Sequence, residues 1–535
     1  MNKKILSILL LLIIGFIPLL DLFHGGLPQT HDGIDHVARI ANFYENLKEG
    51  NLIPRWAGNL NWGYGHPILM FLYPLSSYVA SLFHFVGFGL VDSVKIVFGL
   101  GVVLSGIFMY LWVTEMFGPL AGLVSGVLYM VTPYKFIELY VRGDIGENLA
   151  FAFVPLVLYF LLKSATSQKQ NYRIGLSFSV ALLILAHNAI SLMFMPLFLF
   201  YLWYLVRNKK NLLIPILFYF FLGFVLSAFF WVPGLLEGKY TLRNVVTKNG
   251  YLGRFVNIPS LFYGIWNYGG TGQFSVQLGI MNWLALFCSI FSLFLYKKSK
   301  EKLLVLLLLI FCGISLFLML DWSGIIWSKF LILQNFQFPW RFLAIPVFVT
   351  AALSGYLVSV IPQKKQLFFA IPFLILVLFL NRDYWHANGY TFKPESYFTS
   401  VYYGTTDTGE SAPIWSVRFM EHPYKYPVEV ISGKADFRVG KRTMTEHSYD
   451  VTVQNYARLR ENTVYFPGWV ALVDGKETPI QYQDPSNRGV ITFDVSNGHH
   501  SVVVKFTETK FRFIADMVSL AGLLFILLTA LKFVI

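Results

Sequence analysis

The chain has 535 residues, of which 56% are hydrophobic and only 13% are charged, and its formal net charge is +13. This composition is too apolar for an ordinary soluble fold and indicates a membrane protein with many spans. In such a protein an excess of Lys and Arg sets the topology, so no nucleic-acid partner is predicted.

Apolar segments of suitable length recur along the chain. A membrane-spanning helix needs about 20 mainly apolar residues. Twelve segments fit, and we predict a span at 3–22, 93–115, 119–137, 147–163, 173–190, 191–207, 211–231, 276–296, 302–320, 340–361, 366–381 and 512–532.

A thirteenth apolar segment, 67–87, is interrupted by Pro67, Pro74 and Gly87. If it stays outside the membrane, the basic loops at 163–173, 207–210, 297–302 and 364–365 all face the cytoplasm, as the positive-inside rule requires. We therefore predict a polytopic α-helical protein of the cell membrane with about twelve spans and both termini in the cytoplasm.

This topology makes the loop 23–92 and the long polar segment 383–511 extracytoplasmic. The polar segment contains short alternating runs such as SYDVTVQNY and HHSVVVKF, separated by Gly, Asn and Asp. Such runs are typical of antiparallel strands, so we predict a β-sandwich domain here. The predicted divisions are a membrane domain at 1–382, the β-domain at 383–511 and a last span at 512–535.

The first external loop begins with a dense group of ionisable residues. Apolar residues recur at helical spacing over 33–49, which predicts an amphipathic helix on the membrane surface. Asp32 would then lie at the helix N-terminus and Asp35 in its first turn. These acids could cap the helix, or one of them could serve as a general base in a site at the membrane edge.

A cap does not explain the other polar and aromatic residues of this loop, which we take as substrate-binding candidates: His36, Arg39, Arg55, Trp56, Tyr64 and His66. Ionisable groups beside a bilayer are costly unless they face water, a partner or a substrate.

Three further polar clusters lie at predicted span ends on the same side of the membrane. Arg142, Asp144 and Glu147 precede the fourth span, His187 ends the fifth, and Trp340 and Arg341 open the tenth. Asp144 and Glu147, three positions apart, could cap a helix, hold a sugar or bind a divalent cation, and the arginines could pair with phosphate. We expect these clusters to converge with Asp32 and Asp35 in one pocket.

The loop 232–275 is rich in aromatic residues and cations, among them Arg254. Aromatic faces can stack on sugar rings, and cations can bind phosphate. The same residues could equally form an interfacial belt.

Four short motifs follow one another in the first loop: D-x-x-x-H-x-x-R from Asp32, G-x-x-x-P-R-W from Gly50, G-Y-G-x-P from Gly63, and Y-P-L from Tyr73. Together with Arg142-Gly-Asp144, His187-Asn188 and Phe338-Pro-Trp340-Arg341, they resemble the GT-C superfamily of integral-membrane glycosyltransferases. The closest resemblance is to its YfhO-like branch, also called "6-pyruvoyl-tetrahydropterin synthase-related". This resemblance extends over nearly the whole chain.

The resemblance implies a polyprenyl-phosphate-linked sugar as donor and an extracytoplasmic glycan, lipid or protein as acceptor. It also implies a first-loop acid, Asp32 or Asp35, as the base, and acids of the second loop, Asp144 and Glu147, that assist or bind a divalent cation such as Mg or Mn. Arg142, Arg341 and Arg254 would neutralise the departing phosphate.

Two other interpretations stay open. The protein could be a transporter or flippase of lipid-linked sugars, although such proteins usually carry ionisable residues near the membrane midplane and internal repeats. It could also be a catalytically silent membrane protein whose β-domain binds glycans.

Overall fold

The computed structural model describes residues 3–167, 169–269, 274–295 and 301–531. The N-terminal part is helical apart from the short strand β1 (Leu27–Pro28). Its helices are α1 (Lys3–Phe16), α2 (Gly33–Lys48), α3 (Ile68–Phe71), α4 (Leu75–Phe85), α5 (Leu90–Phe117), α6 (Pro119–Met130), α7 (Pro133–Phe136), α8 (Ile145–Thr166), α9 (Gln170–Ala186), α10 (Asn188–Val206), α11 (Leu213–Leu226) and α12 (Ala228–Glu237).

Further helices lead to the polar segment, and one helix follows it. They are α13 (Arg243–Val246), α14 (Ile258–Phe262), α15 (Ile280–Leu295), α16 (Lys302–Leu318), α17 (Gly324–Lys329), α18 (Leu331–Gln334), α19 (Ala344–Val360), α20 (Gln363–Asn381), α21 (Ser396–Thr399) and α22 (Lys510–Leu531). Residues 296–300 and 532, which belong to a predicted basic loop and to predicted span ends, lie outside the described residues.

Within the described ranges, seven helices are long and apolar enough to cross a membrane, and three bent helix pairs raise this number to ten. The two other predicted spans correspond to the shorter helices α9 and α15. The total of twelve therefore stays a prediction. The segment 67–87 is divided into α3 and α4, neither of which reaches spanning length.

Helices α5, α6, α8 and α19 form the centre of the bundle. Most of α8 and α19 is buried, whereas α20 and α22 are largely exposed, as helices facing lipid would be. Small residues allow close packing: a Cβ on Gly126 would come within 2.7 Å of the Gly106 carbonyl oxygen. Close approach at small residues is the usual basis of helix association in membranes.

Helix α2 forms where the sequence predicts it, and it is enclosed by other parts of the protein. It packs against α4, α5 and α21, and residues on both its apolar and its polar sides are buried, among them Val37, Phe43, Arg39 and Asn46. The polar side is covered because Asn46 donates to the Trp56 carbonyl and Arg39 to Thr406. The polar side of α2 thus faces protein, and its position on the membrane surface stays a prediction.

The polar segment forms an antiparallel sheet of five strands in the order β3-β4-β7-β5-β6. Its strands are β3 (Val428–Arg442), β4 (Glu446–Val464), β5 (Trp469–Val473), β6 (Lys476–Thr478) and β7 (Val490–Phe506), while β2 (Tyr390–Thr391) pairs with β1. The predicted strands are present, but the described residues contain no second sheet packed on the first. The apolar face is covered instead by the first external loop, whose Trp56 and Met70 join the core of the sheet.

Candidate functional site

The start of the first external loop is held against the chain segment that precedes α8. The amides of His31 and Asp32 donate to the carbonyls of Val141 and Arg142, at 3.0 and 2.8 Å. Gly143 makes this approach possible, since its φ is +69° and a Cβ there would lie 2.3 Å from the Thr30 hydroxyl oxygen. These hydrogen bonds hold the backbone of Asp32 beside the backbone of Arg142.

The second cluster forms where the helical chain is interrupted. Residues Ile137–Arg142 make a π-helical turn that ends at Gly143, and Asp144 then caps α8 by accepting the Glu147 amide at 2.9 Å. Wide turns of this kind are frequent at functional sites. The interruption places Arg142 and Asp144 at the head of a new helix.

Five buried charged side chains meet at this point, and we call them the acid cluster: Glu138, Arg142, Asp144, Glu147 and Arg341. The Arg142 guanidinium donates to Glu138, to Asp144 at 3.0 Å and to Glu147 at 3.1 Å. Arg341 Nε donates to the same Glu147 oxygen at 3.2 Å. Three carboxylates thus share two guanidiniums, and buried charges persist only with such partners.

Tyrosines and a histidine complete the surroundings of the acid cluster. The Tyr73 hydroxyl donates to Asp144 at 2.9 Å, and the Tyr134 hydroxyl donates to Glu147 at 2.7 Å. His187 Nε2 lies 3.9 Å from Asp144, and the Tyr73 and His187 rings are 4.7 Å apart. Burial would raise the pKa of Asp144, but Arg142, His187 and Arg341 together hold this pKa well below its usual range.

His187 is neutral in this arrangement. Burial lowers the pKa of its imidazole to about 4, with Arg341 and Arg142 acting in the same direction. Its Nδ1 accepts the Ile190 amide at 3.2 Å and so caps α10. A neutral imidazole that accepts at Nδ1 carries its proton on Nε2.

Asp144, Glu147 and His187 are close enough to hold a metal ion, since their ligand atoms lie within 4.8 Å of one another. Their donor chemistry nevertheless does not fit a divalent cation. His187 Nε2 carries a proton, and the carboxylate oxygens already accept from Arg142, Arg341, Tyr73 and Tyr134. The Arg142 guanidinium instead bridges the two acids, donating to Asp144 at 3.0 Å and to Glu147 at 3.1 Å.

The two candidate bases differ in what their carboxylates contact. Asp35 accepts the Tyr402 hydroxyl at 2.8 Å, whereas no described residue donates a hydrogen bond to the Asp32 carboxylate. The cap of α2 is supplied by Thr30, whose hydroxyl accepts the Gly33 amide at 3.1 Å. Burial raises the pKa of both carboxyls, and Arg142 and Arg39 oppose this rise at Asp32.

His36 and Arg39 form a pair on α2 beside these acids. Arg39 donates to His36 Nδ1 at 3.0 Å and to Thr406. Burial and the Arg39 charge lower the pKa of His36 to about 3, so the ring is neutral. Arg39 thereby links the loop to the polar segment that carries the β-domain.

Trp340 lies on the acid cluster and Arg254 at its edge. The Arg142 guanidinium is 4.8 Å from the Trp340 ring centre, and Phe338 stacks on Trp340 at 5.0 Å. The exposed Arg254 lies over the other ring of this stack, 4.7 Å from Phe338.

The structure does not bring four predicted site residues to the acid cluster. Arg55 pairs with Asp516 and Glu508, both at 2.6 Å, and Trp56 packs on Trp469 at 5.3 Å. Tyr64 contacts Tyr424, and His66 lies 3.4 Å from Asp407. These four residues join the first loop to the β-domain and α22.

Sequence reasoning missed Glu138, Tyr73, Tyr134 and Tyr402. Glu138 lies one helical turn before Arg142, a spacing that could have revealed the pair. Tyr73 belongs to the Y-P-L motif, but nothing local to Tyr134 or Tyr402 signals a contact with an acid.

Several solved structures are similar to this chain. The apo oligosaccharyltransferase of Archaeoglobus fulgidus is 12% identical, with a TM-score of 0.44 over 79% of this chain and 62% of that chain. ArnT from Cupriavidus metallidurans bound to undecaprenyl phosphate is 15% identical, with a TM-score of 0.41 over 74% of this chain and 67% of that chain. The arabinofuranosyltransferase AftD from Mycobacteria is 14% identical, with a TM-score of 0.43 over 71% and 26%. These identities are too low to transfer an activity.

A curated relative from Lactococcus lactis subsp. cremoris (strain MG1363), described as "Uncharacterized protein", is 26% identical over 308 residues. The match covers 55% of this chain, and the chain spans about half the length of that relative. A family model described as "6-pyruvoyl-tetrahydropterin synthase related domain; membrane protein" matches residues 69–385. Because that match extends over more than half of the chain, the protein belongs to this family of membrane proteins.

Proposed function

We propose that the protein is a glycosyltransferase that moves a sugar from a polyprenyl-phosphate-linked donor to an extracytoplasmic acceptor, with Asp32 as the general base. The observation that carries this proposal is the state of Asp32: its half-buried carboxylate receives no hydrogen bond from any described residue, and its backbone amide is bonded to the Arg142 carbonyl. Such a carboxylate has accepting capacity left for a substrate hydroxyl.

The reaction follows from these positions. Asp32 accepts the proton of the acceptor hydroxyl, whose oxygen forms a bond to the anomeric carbon of the donor sugar. The bond from that carbon to the phosphate oxygen breaks, and its electron pair leaves with the polyprenyl phosphate. A single displacement inverts the anomeric configuration.

The leaving phosphate gains negative charge, and two arginines can stabilise it. Toward the described residues, Arg341 uses two of its five N–H groups, one to Glu147 and one to the Phe336 carbonyl, and so has donors left. Arg142 is fixed by three acids and cannot move away from the site. Cations fixed in place before the reaction stabilise developing charge without reorganisation.

The proposal includes the topology. Residues 1–382 are the membrane domain, 383–511 are the extracytoplasmic β-domain and 512–535 are the last span, with both termini in the cytoplasm. The pairing of β1 with β2 and of Arg55 with Glu508 supports placing the first loop and the β-domain on one side.

The test is to incubate the purified full chain with a panel of polyprenyl-phosphate sugars and candidate acceptors, and to measure donor consumption. Turnover by the wild type and its loss in Asp32→Asn are expected. Absence of turnover across the panel, or full turnover by Asp32→Asn, contradicts the proposal, and movement of intact donor across a vesicle membrane would establish a flippase instead.

A further inference from the structure

The structure contains a cavity that lies away from the acid cluster. It has a volume of about 220 Å³ and separates the second half of the first external loop from the edge of the β-domain. At about 30 Å³ per molecule in the liquid, this volume corresponds to roughly seven waters. No residue of the acid cluster lines this space, which we call the loop–sheet cavity.

Aromatic rings from both sides form part of the wall. Tyr64 from the loop and Tyr424 from the polar segment are half-buried, with ring centres 5.3 Å apart and planes nearly perpendicular. Gly63 allows this contact, because its φ is +84° and a Cβ there would lie 3.2 Å from the Tyr424 ring. Perpendicular rings offer apolar faces in two directions within one small space.

The polar groups of the wall are already ordered. Arg442 donates to the fully buried Glu461 at 2.7 Å and lies 5.7 Å from the Tyr424 ring centre, and His447 contacts the same Glu461 oxygen at 2.9 Å. Across the cavity, the Glu49 carboxylate accepts the Met444 amide at 2.9 Å. Each side chain is held in place while part of its hydrogen-bonding capacity is unused.

The balance of charge indicates the class of ligand. Arg442 is compensated by Glu461, and Glu49 adds a negative charge, so the described residues that line the wall include no uncompensated cation for a phosphate or carboxylate. Fixed hydrogen-bonding groups beside aromatic faces instead suit a neutral ligand with several hydroxyl groups. A pocket with a few placed polar groups among aromatic side chains is the usual form of a small-ligand site.

We infer that the loop–sheet cavity binds one neutral saccharide unit. Its assignment to the acceptor rests on the proposed transferase function, under which an acceptor glycan would be held by the same loop that carries Asp32. The binding itself does not depend on transfer, so the two proposals can fail separately.

The experiment uses the purified full chain in detergent and measures saturation-transfer NMR with three neutral trisaccharides: maltotriose, cellotriose and chitotriose. At least one is expected to bind, and Tyr424→Ala is expected to weaken binding about tenfold, since one aromatic contact is lost. Glu49→Gln keeps the shape of the wall and is also expected to lower the signal. It serves as the second variant should Tyr424→Ala fail to fold.

The matched control is Tyr456→Ala, which removes an exposed tyrosine on β4 whose hydroxyl donates to Asp494. This variant should bind like the wild type. The inference is overturned if none of the three trisaccharides binds, if Tyr424→Ala and Glu49→Gln both bind as the wild type does, or if glucose 1-phosphate binds and the neutral sugars do not. Trisaccharide binding without turnover of any donor would leave this site standing and refute the transferase.

Discussion

The two halves of the first external loop carry similar residues but make different contacts. His31 and Asp32 are bonded to the segment that precedes α8, and no described residue donates a hydrogen bond to the Asp32 carboxylate. Residues 54–66 lie under the β-domain, where Arg55 is paired with Asp516 and Glu508. The difference teaches that the hydrogen-bonding capacity left after internal contacts, rather than the residue type, separates the proposed base from an anchoring side chain.

The largest effect is expected from Asp32→Asn, which removes the proposed base while keeping the size of the side chain. Sugar transfer should fall by roughly two to four orders of magnitude, as is typical for loss of a general base. Asp35→Asn is the matched control. Its carboxylate accepts Tyr402, so a loss below about tenfold is expected, the value of one hydrogen bond. The measurement is the initial rate of sugar transfer in membranes of equal protein content. Equal losses in both variants would contradict the assignment of Asp32, rather than Asp35, as the base.

A smaller loss is expected from Arg341→Gln. Removing a fixed cation beside the leaving phosphate should lower the turnover rate roughly 10²- to 10³-fold. Arg254→Gln makes a good comparison because both guanidiniums lie over Phe338, at 5.3 and 4.7 Å, while Arg254 is exposed. If Arg254→Gln reduces turnover more than Arg341→Gln, the phosphate lies outside the acid cluster.

For the anchoring half of the loop, Arg55→Ala should lower the free energy of unfolding by about 3 kcal/mol. This is the low end of the range for breaking a buried ion pair, since Glu508 is partly exposed. Arg382→Ala, which removes an exposed cation next to Asp383, should cost less than about 1 kcal/mol. Thermal unfolding in detergent measures the stability of both variants. Equal unfolding midpoints would show that the ion pairs of Arg55 do not stabilise the contact of the loop with the β-domain and α22.

The pH profile offers a subtler test. Burial raises the pKa of Asp32, with Arg142, Asp144, Arg39 and Asp35 as the surrounding charges. A base works only when deprotonated, so kcat/KM should rise with pH along a limb displaced above the ordinary aspartate value of about 3.9. The folded protein then binds the proton more tightly than the unfolded chain, so Asp32 lowers stability as the pH rises through this range.

The rise of kcat/KM with pH should be absent from the residual activity of Asp32→Asn. His36 and His187 are neutral, because burial lowers their pKa values to about 3 and about 4, and neither should add a limb between pH 5 and 8. An unchanged profile in the variant would exclude Asp32 as the titrating group.

The smallest effect is expected from EDTA, which should leave the transfer rate unchanged. The Arg142 guanidinium already lies between Asp144 and Glu147 and uses their oxygens. Loss of activity on chelation, restored by Mg²⁺ or Mn²⁺, would show that the acids rearrange to bind a metal.

The sequence predicts much of this architecture because its signals are local. Apolar length finds the helices, and alternation finds the strands β3, β4 and β7. What covers the sheet was not predictable in this way. Its apolar face is closed by Trp56 and Met70, about 400 positions away along the chain, so alternation reveals a face to bury and not its partner.

The residues proposed for the site differ in the same way, between those with local sequence signals and those whose partners lie far along the chain. Arg142, Asp144, Glu147 and Arg341 lie at predicted helix ends, and spans of similar length bring such ends to one level of the membrane. Arg55 and His66 carry the same kinds of charge, but their partners Asp516 and Asp407 lie in distant segments. No periodicity encodes that pairing.

The main-chain hydrogen bonds from His31 and Asp32 to Val141 and Arg142 have a consequence for how such a protein can diversify. They fix the separation of the two backbones that carry the Asp32 carboxylate and the Arg142 guanidinium without using any side chain. Neighbouring residues can therefore be exchanged while this separation is inherited unchanged.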